Sequence, residues 1–421
     1  MKADLIHAAF EPARERYREE GVDVENALAS LERISLSLHC WQGDDVGGFE
    51  NASGPLGGGL AVTGAYPGKA RTADELRADL DLAFSLIPGR HRLNLHAIYG
   101  DFPAGAADRD KIEPSHFRGW MDWAGARSLP LDFNATCFSH PLAASGFTLS
   151  HPDRAVRKFW IGHVKACRTV AAFFGRAQKN PCLHNLWIPD GMKEVPADRG
   201  AFRARLVDSL DEIYGADYPA DELRDSLEGK LFGLGSEAFV VGSHEFYTAY
   251  AVRKGKLICL DLGHYHPTES VADKISALLP FVPGLVIHLS RGLRWDSDHV
   301  VVLDDEIVEV AGEIVRAGAW DRIHLALDYF DGSLNRIGAW VIGARAVFKG
   351  LLQGFLTPWD RLAGADAAGN GLARLAIREN IRTLPLGAVW DEFCLRSNVP
   401  PGSDFLGAIE RYENDVLRRR A

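Results

Sequence analysis

The chain has 421 residues, of which 47% are hydrophobic and 25% charged, as in an ordinary globular protein. Asp and Glu outnumber Lys and Arg by 57 to 47, and no run of basic residues occurs, which argues against a nucleic-acid-binding protein. No apolar stretch approaches the roughly 20 residues that cross a bilayer. The six cysteines lack metal-finger spacing, so a cytoplasmic protein is expected rather than a secreted disulfide scaffold.

Short apolar runs alternate with longer helical patterns, as in a parallel sheet with helical crossovers. Residues 1–20 carry charges throughout and predict an amphipathic helix, not a signal peptide. Eight strands are predicted, at Ser35–Trp41, Arg92–Ile98, Pro130–Ala135, Cys182–Ile188, Leu227–Phe232, Leu257–Leu262, Leu285–Ser290 and Ile323–Tyr329. Predicted helices include Thr72–Leu86, Asp153–Phe174, Arg203–Ile213, Thr268–Leu279 and Asp304–Ala317. This alternation favours a closed (β/α)8 TIM barrel over an open sheet.

After the eighth strand the pattern is helical, at Asn335–Phe355, Ala367–Arg382 and Asp404–Leu417. We therefore divide the chain into a barrel domain with N-terminal helices, residues 1–356, and a helical C-terminal extension, residues 357–421. The extension exceeds what one barrel needs, so it either wraps a neighbouring subunit or packs on its own barrel. Glycines between Gly54 and Gly64 predict a long loop on the active side of the barrel.

Most of the predicted strands end in charged or hydrogen-bonding residues, and in barrel enzymes that end carries the active site. These residues are Asn94 and His96, Asp132 and Asn134, Asn185 and Trp187, Glu228 and Lys230, Asp261 and His264, His288, and Asp328. A single buried His or Asp is more often a satisfied core residue. Buried carboxylates are costly unless they are paired or coordinated, however, and acidic or imidazole groups end four consecutive strands. The cluster therefore predicts a divalent cation.

The loop after the seventh predicted strand carries two further carboxylates, Asp296 and Asp298. Two residues apart in an extended segment, they point the same way and can bind one ion. Taken alone, such a pair is equally well explained as a turn or a helix cap. Together with the strand ends, it gives an oxygen-rich site with imidazole, which suits Mn²⁺, Co²⁺ or Mg²⁺, with Zn²⁺ as a further option.

These side chains fall into two predicted metal sites. The first, at the barrel mouth, comprises Glu228, Asp261, His288 and Asp328, and the second comprises His264, Asp296 and Asp298, with Asp261 close enough to be shared. Lys230 beside them could stabilise negative charge on a substrate oxygen. A plain ion pair between Lys230 and Glu228 is the alternative for this residue.

Several segments of the chain resemble L-rhamnose isomerases. They are His-Cys-Trp-Gln-Gly-Asp-Asp at 39–45, Phe-Ser-His-Pro-Leu at 138–142, Trp-Ile-Pro-Asp-Gly-Met-Lys at 187–193, Lys-Leu-Phe-Gly at 230–233, Asp-Lys-Ile-Ser-Ala at 273–277 and Arg-Trp-Asp-Ser-Asp-His-Val-Val at 294–301. The resemblance extends from the first helix to the last. It implies isomerisation of L-rhamnose to L-rhamnulose in the cytoplasm, with Mn²⁺ as the usual metal, in a homotetramer. It also implies kinship with xylose isomerases, which use two metals at a barrel mouth.

The resemblance assigns the same seven ligands. Glu228, Asp261, His288 and Asp328 match the family's tighter, structural site, whereas His264, Asp296 and Asp298 match its catalytic site. In the reaction that it implies, His96 assists ring opening, Trp187 forms an apolar wall, and Lys230 and Asp328 help move a hydroxyl proton. The loop Gly47–Gly68 is expected to cover the far end of the sugar.

Two routes could transfer the hydrogen between C1 and C2 of the sugar. We favour a hydride shift over an enediol, because the site is rich in metal ligands and shows no obvious base for a carbon-bound proton. The nearest rival function is a barrel metalloenzyme that isomerises other aldoses or epimerises ketoses. Epimerases of that kind usually carry a pair of carboxylate bases around one metal, and this sequence lacks an obvious pair. A sugar- or metal-binding protein without catalysis would be expected to have lost a ligand, and none is lost.

Overall fold

A computed structural model of the protein describes residues 3–50, 62–102, 108–231 and 237–420. Its strands are β1 (Ser35–His39), β2 (Arg90–His96), β3 (Leu131–Asn134), β4 (Cys182–Leu186), β5 (Gly191–Met192), β6 (Leu223–Glu228), β7 (Phe239–Val240), β8 (Leu257–Asp261), β9 (Leu285–Leu289) and β10 (Ile323–Leu327). Eight of them form a closed barrel in the order β1-β2-β3-β4-β6-β8-β9-β10, with every neighbouring pair parallel. Strands β5 and β7 make a separate antiparallel pair. The predicted (β/α)8 barrel is confirmed.

Helices surround the barrel and follow it. They are α1 (Ala3–Glu19), α2 (Val24–Leu31), α3 (Ala73–Ser85), α4 (Arg118–Gly125), α5 (Arg154–Gln178), α6 (Arg199–Ile213), α7 (His244–Lys254), α8 (Val271–Leu278), α9 (Asp305–Ala317), α10 (Arg336–Phe355), α11 (Trp359–Ala367), α12 (Gly371–Ile381), α13 (Leu386–Arg396) and α14 (Leu406–Asp415). Several begin at a side-chain cap that satisfies a free backbone N–H. Thr72 accepts from the N–H of Glu75 at α3, and Asp304 accepts from that of Ile307 at α9.

Seven of the eight predicted barrel strands match the observed ones to within two residues at each end. The fifth prediction, Leu227–Phe232, was wrong: strand β6 begins at Leu223 and ends at Glu228. The first half of the observed strand β6 contains polar residues, so its sequence does not resemble that of a buried strand. Asp225 is nevertheless buried, because Arg168 and Lys256 pair with it at 2.9 Å each. Phe232 lies outside the described residues, as do residues 54–61 of the predicted glycine-rich loop.

Alternate residues of each barrel strand point into the barrel, where they form layers. An apolar cluster of Leu183, Leu257, Cys259 and Val286 fills part of this interior, separate from the large core between barrel and helices. Asp132 lies near the start of β3 and forms an ion pair of 2.6 Å with Arg92. It is therefore not part of the strand-end site, unlike Asn134 two residues later, which lines a pocket.

The C-terminal helices contact their own barrel. Helix α13 packs on α1, where His7 approaches Glu392 at 2.8 Å. Near the end of the chain, Arg420 pairs with the buried Asp79 of α3 at 2.6 Å. Helices α11 and α12 contact each other and leave Leu372 and Leu375 exposed, at 79% and 64%.

Within the described ranges, no helix combines the length and apolar character needed to span a membrane. All six cysteines are buried and none is in a disulfide.

Candidate metal centre and substrate pocket

Four side chains converge where strands β6, β8, β9 and β10 end. Glu228 and Asp261 are the last residues of β6 and β8, His288 lies one residue before the end of β9, and Asp328 follows β10. In the sheet register Asp261 lies beside His288, so the two are level across the barrel wall. One donor atom from each of the four lies within 4.8 Å of the others. The structure thus brings the first predicted ligand group together.

Hydrogen bonds hold one oxygen of each carboxylate and leave the other facing the cluster. Ser290 Oγ and the backbone N–H of Gly263 donate to Asp261 Oδ1 at 2.8 and 2.7 Å. Trp41 Nε1 donates to Asp328 Oδ1 at 3.1 Å, and Asn185 Nδ2 donates to Glu228 Oε2. Partners of this kind fix the orientation of metal ligands.

The free atoms of this cluster lack hydrogen-bond partners. His288 Nδ1 lies 3.0 Å from Asp328 Oδ2 and 3.6 Å from both Glu228 Oε1 and Asp261 Oδ2, yet it makes no hydrogen bond, and neither does Glu228 Oε1. Both residues are almost fully buried. Buried polar atoms without partners are costly, and a cation bound between them would remove that cost.

The protonation of this cluster reflects burial among charges. Burial lowers the pKa of His288, but the surrounding acidic groups outweigh it and raise this pKa well above its ordinary value. Burial likewise raises the pKa of Glu228, but His288 and His264 outweigh it and lower this pKa to about 2. A carboxylate that stays ionised is the form that binds a metal.

A second group lies next to the first and shares Asp261. Donor atoms of Asp261, His264 and Asp296 lie within 4.8 Å of one another. His264 sits in a short 3₁₀ turn, Leu262–His264, after β8. Its Nδ1–H donates to the carbonyl of Gly229 at 3.2 Å, so Nε2 of the neutral ring carries no proton. Nε2 lies 3.5 Å from Asp296 Oδ2. Asp296 Oδ1 is also buried without a partner.

The backbone around Asp298 differs from the extended segment that was predicted for Asp296 and Asp298. The loop that carries it is not extended, and Asp298 itself has φ of 46°. It lines the same pocket as Asp296, but it belongs to none of the three groups of potential metal ligands found among the described residues. Burial, and then the charge of Asp296, raises the pKa of Asp298 well above its usual value. A cation nearby would counter this repulsion.

Lys230 lies two residues beyond the end of β6 and is buried. Its Nζ is 2.5 Å from Asp296 Oδ2, so the alternative ion pair with Glu228 is replaced by one with Asp296. Burial lowers the pKa of Lys230, but Asp296 outweighs this effect and raises it. Lys230 therefore carries a positive charge at the edge of the carboxylate cluster, 5.2 Å from the ring of Trp187.

A pocket of about 570 Å³ opens over both groups. Its aromatic walls are Trp41, Phe138, Trp187 and Phe330, and its floor includes Glu228, Lys230, His264, Asp296, Asp298 and Asp328. His96 faces it at the end of β2, with Nδ1 3.0 Å from Thr136 Oγ1 and the ring edge-on to Trp41 at 4.7 Å. Burial lowers the pKa of His96 to about 3, so the ring is neutral. The aromatic and charged lining suits a small polar ligand such as a monosaccharide.

Sequence reasoning did not assign roles to Trp41 and Ser290, which hold Asp328 and Asp261 in place. Trp41 ends the first predicted strand and so carried a positional signal. Ser290 ends the seventh predicted strand and carried the same positional signal, but its partner Asp261 lies on a different strand and could not be read from the sequence.

The fold is shared with sugar-converting barrel enzymes. The solved structure of L-ribulose 3-epimerase superimposes with a TM-score of 0.50 at 11% identity, and covers 76% of this chain and 95% of that one. This similarity concerns the fold alone. The chain is therefore a (β/α)8-barrel protein with a cluster of carboxylate and imidazole groups at the barrel mouth.

Sequence comparison identifies the family. The sequence model of L-rhamnose isomerase (RhaA) matches residues 4–420. The L-rhamnose isomerase of Rhodopirellula baltica is 55% identical over 420 residues, covering 100% of this chain and 98% of its own, and that of Salmonella paratyphi B is 52% identical over 416 residues, covering 99% of each. The chain belongs to the L-rhamnose isomerase family, whose members are aldose–ketose isomerases.

Proposed function

We propose that this protein interconverts L-rhamnose and L-rhamnulose and requires divalent cations at the barrel mouth. Family membership supports the substrate. The metal requirement is supported by the buried atoms Glu228 Oε1, His288 Nδ1 and Asp296 Oδ1, which have no hydrogen-bond partner and belong to residues of two adjacent donor groups.

The residues fit two cations. Glu228, Asp261, His288 and Asp328 would hold one, and His264, Asp296 and Asp298 the other, with Asp261 between them. Oxygen ligands with one imidazole per site suit Mn²⁺, with Zn²⁺, Co²⁺ or Mg²⁺ as alternatives at either position. A bound cation would act as a Lewis acid on the sugar's oxygens and as a template for their orientation.

His96 is proposed to open the sugar ring. With Nδ1 engaged by Thr136, the neutral ring offers Nε2 to the pocket. Nε2 takes the proton of the anomeric hydroxyl and returns a proton to the ring oxygen, which gives the open-chain aldose. Trp187 forms the apolar wall against which the open chain lies.

The isomerisation step is proposed to be a hydride shift. The hydrogen on C2 moves to C1 with its electron pair, the C2 hydroxyl gives its proton to Asp328, and Asp328 passes that proton on to O1, so that C2 becomes the carbonyl carbon and O1 a hydroxyl. Lys230 donates a hydrogen bond to the oxygen on which negative charge develops. The carboxylates that line the described pocket, Glu228, Asp296, Asp298 and Asp328, are all assigned to the proposed metal sites, so none is free to act as a base towards carbon.

The route can be tested by running the reaction in D₂O. A hydride shift leaves C1 of L-rhamnulose without solvent deuterium, because the migrating hydrogen never exchanges. NMR integration of the C1 protons reads the result. Substantial incorporation at C1 would support the enediol route instead.

The function itself is tested by assaying ketose formation from L-rhamnose with chelator-treated protein, with and without Mn²⁺. We expect turnover only when metal is present. Turnover in the stripped protein would contradict the metal requirement. A folded, metal-loaded protein without turnover would exclude L-rhamnose and direct the search to other aldoses and to epimerisation.

The assembly is proposed to be a homotetramer in the cytoplasm. Residues 357–421 would contribute subunit contacts in addition to packing on their own barrel, because α12 presents two exposed leucines, Leu372 and Leu375, that its own chain does not cover. Six buried, unpaired cysteines suit a reducing compartment.

The loop Gly47–Gly68 is proposed to cover the far end of the sugar. Val46, the residue immediately before this loop, lines the pocket.

A further inference from the structure

Cys259 lies in the barrel interior directly beneath the first metal group. It precedes Asp261 by two residues on β8, so both side chains point inward. In the register between β6 and β8, Cys259 is the partner of Glu228. Its side chain is 1% exposed. The thiol is therefore the next inward-facing donor below the carboxylates, and the proposed reaction gives it no role.

Three potential ligands from the neighbouring strands β6, β8 and β9 meet at this thiol. One atom each of Glu228, Cys259 and His288 lies within 4.8 Å of the others. Glu228 Oε1 and His288 Nδ1 are buried and have no hydrogen-bond partner. Leu183, Leu257 and Val286 pack around the cysteine in one apolar cluster. These neighbours have no polar atoms in their side chains, so they offer no competing ligand.

A carboxylate, a thiolate and an imidazole form a ligand set for soft or borderline cations. Thiolate sulfur selects ions such as Zn²⁺ and Cd²⁺, whereas Mn²⁺ and Mg²⁺ prefer the oxygens of Asp261 and Asp328. The barrel mouth thus offers two alternative positions that share Glu228 and His288. A hard cation would bind at the upper position, with Asp261 and Asp328, and a thiophilic cation would bind at the lower position, with Cys259.

We propose that Glu228, Cys259 and His288 form a distinct binding site for thiophilic divalent cations, one layer below the oxygen-rich site. This inference rests in part on the proposed function, because two of its ligands also belong to the proposed catalytic metal centre. As the metal–sulfur bond forms, the S–H bond breaks and its proton passes to solvent. Because the two positions share ligands, one ion at a time occupies them, and excess Mn²⁺ competes with the thiophilic ion.

The test uses Cd²⁺ added to metal-free full-length protein. Cadmium bound to thiolate gives a ligand-to-metal charge-transfer absorption in the ultraviolet that oxygen ligands do not give. We expect this absorption in the wild type, its loss in Cys259→Ser, and its retention in the control Cys182→Ser, where another buried thiol is removed. Cd²⁺ affinity should fall in Cys259→Ser by at least about 10- to 100-fold. This is the typical cost of losing a residue that only supports a metal ligand, and Cys259 is proposed to be a ligand itself.

A second measurement needs no variant. The cadmium-113 NMR resonance of the wild-type complex reports whether sulfur is a ligand, and Mn²⁺ binding to the same protein is read from loss of the free-ion EPR signal. Mn²⁺ binding together with an oxygen-only cadmium resonance would overturn the thiophilic site and leave the proposed function standing. Failure to bind either ion would overturn both. A charge-transfer absorption that persists in Cys259→Ser would also refute the assignment.

Discussion

Glu228, Asp261 and Asp328 each use their two carboxylate oxygens for different purposes. One oxygen accepts a hydrogen bond from the protein, as Asp261 Oδ1 does from Ser290, and the other faces the neighbouring ligands. The hydrogen bonds to one oxygen of each carboxylate offset part of the repulsion between these negative charges. The remaining oxygens are the ones that we propose bind a metal.

Asp296 is the residue whose loss should be most damaging, because it belongs to the second donor group and also pairs with Lys230. We predict that Asp296→Asn lowers turnover of L-rhamnose by more than about 100-fold, since losing a direct ligand costs more than losing an outer-shell partner. The circular dichroism spectrum should not change.

The matched control for this variant is Asp305→Asn, which changes an exposed aspartate that pairs with Arg382 on the surface. It should keep wild-type turnover. Full activity in Asp296→Asn would refute the site assignment.

Trp41 is expected to act as a positioning residue through its N–H group. Trp41→Phe keeps an aromatic wall but removes the donor to Asp328 Oδ1. We predict that Mn²⁺ affinity, measured by EPR, falls about 10- to 100-fold. Trp187→Phe provides the control, because Trp187 Nε1 is buried without a hydrogen-bond partner. Equal Mn²⁺ affinities in the two variants would show that the Trp41 hydrogen bond does not position Asp328.

At the scale of secondary-structure elements, the sequence pattern located the barrel strands because most are short segments rich in apolar residues that alternate with longer helical patterns. It failed at β6, whose buried Asp225 is neutralised by Arg168 of α5 and by Lys256, contacts that exist only in the folded chain. It also left helix α7 unassigned. The proposed ligand residues were selected by their place at strand ends, whereas hydrogen bonds between strands, such as that from Ser290 to Asp261, have no sequence pattern.

His163 of α5 links three elements in its neutral form. Its Nε2 accepts from the N–H of Thr136 after β3, and its Nδ1–H donates to the carbonyl of Arg109. Protonation would remove the acceptor, and burial lowers the pKa of His163 to about 3. The unfolded chain takes up this proton below its ordinary pKa of about 6.5, whereas the folded chain does not. Stability from this residue is therefore present above about pH 6.5 and is lost as pH falls towards 3.

We predict that His163 accounts for about 2 kcal/mol of the decrease in unfolding free energy between pH 7.5 and pH 5. Urea unfolding at both pH values measures it. His163→Asn should be less stable at pH 7.5 but should show a smaller decrease on acidification. An identical pH dependence in the two proteins would mean that His163 is protonated in the folded state.

At the scale of the whole molecule, the exposed leucines of α12 are the feature that most favours assembly. Leu372→Lys combined with Leu375→Lys should reduce the mass measured by analytical ultracentrifugation below that of four chains, because charged side chains are depleted at interface cores. Leu406→Lys on α14 changes another exposed leucine and should keep the wild-type mass. A wild-type protein that sediments as a single chain would contradict the proposed tetramer.

The barrel closes where β1 pairs with β10, with Leu36 beside Leu325 and Ser37 beside Ala326. Nearly all of the chain between them must be synthesised before this pairing can form. Until then a nascent chain on the ribosome presents unpaired strand edges, which are prone to aggregate. Pairing between such distant segments is also slow. Efficient production of this protein should therefore depend on chaperones that shield the incomplete barrel during translation.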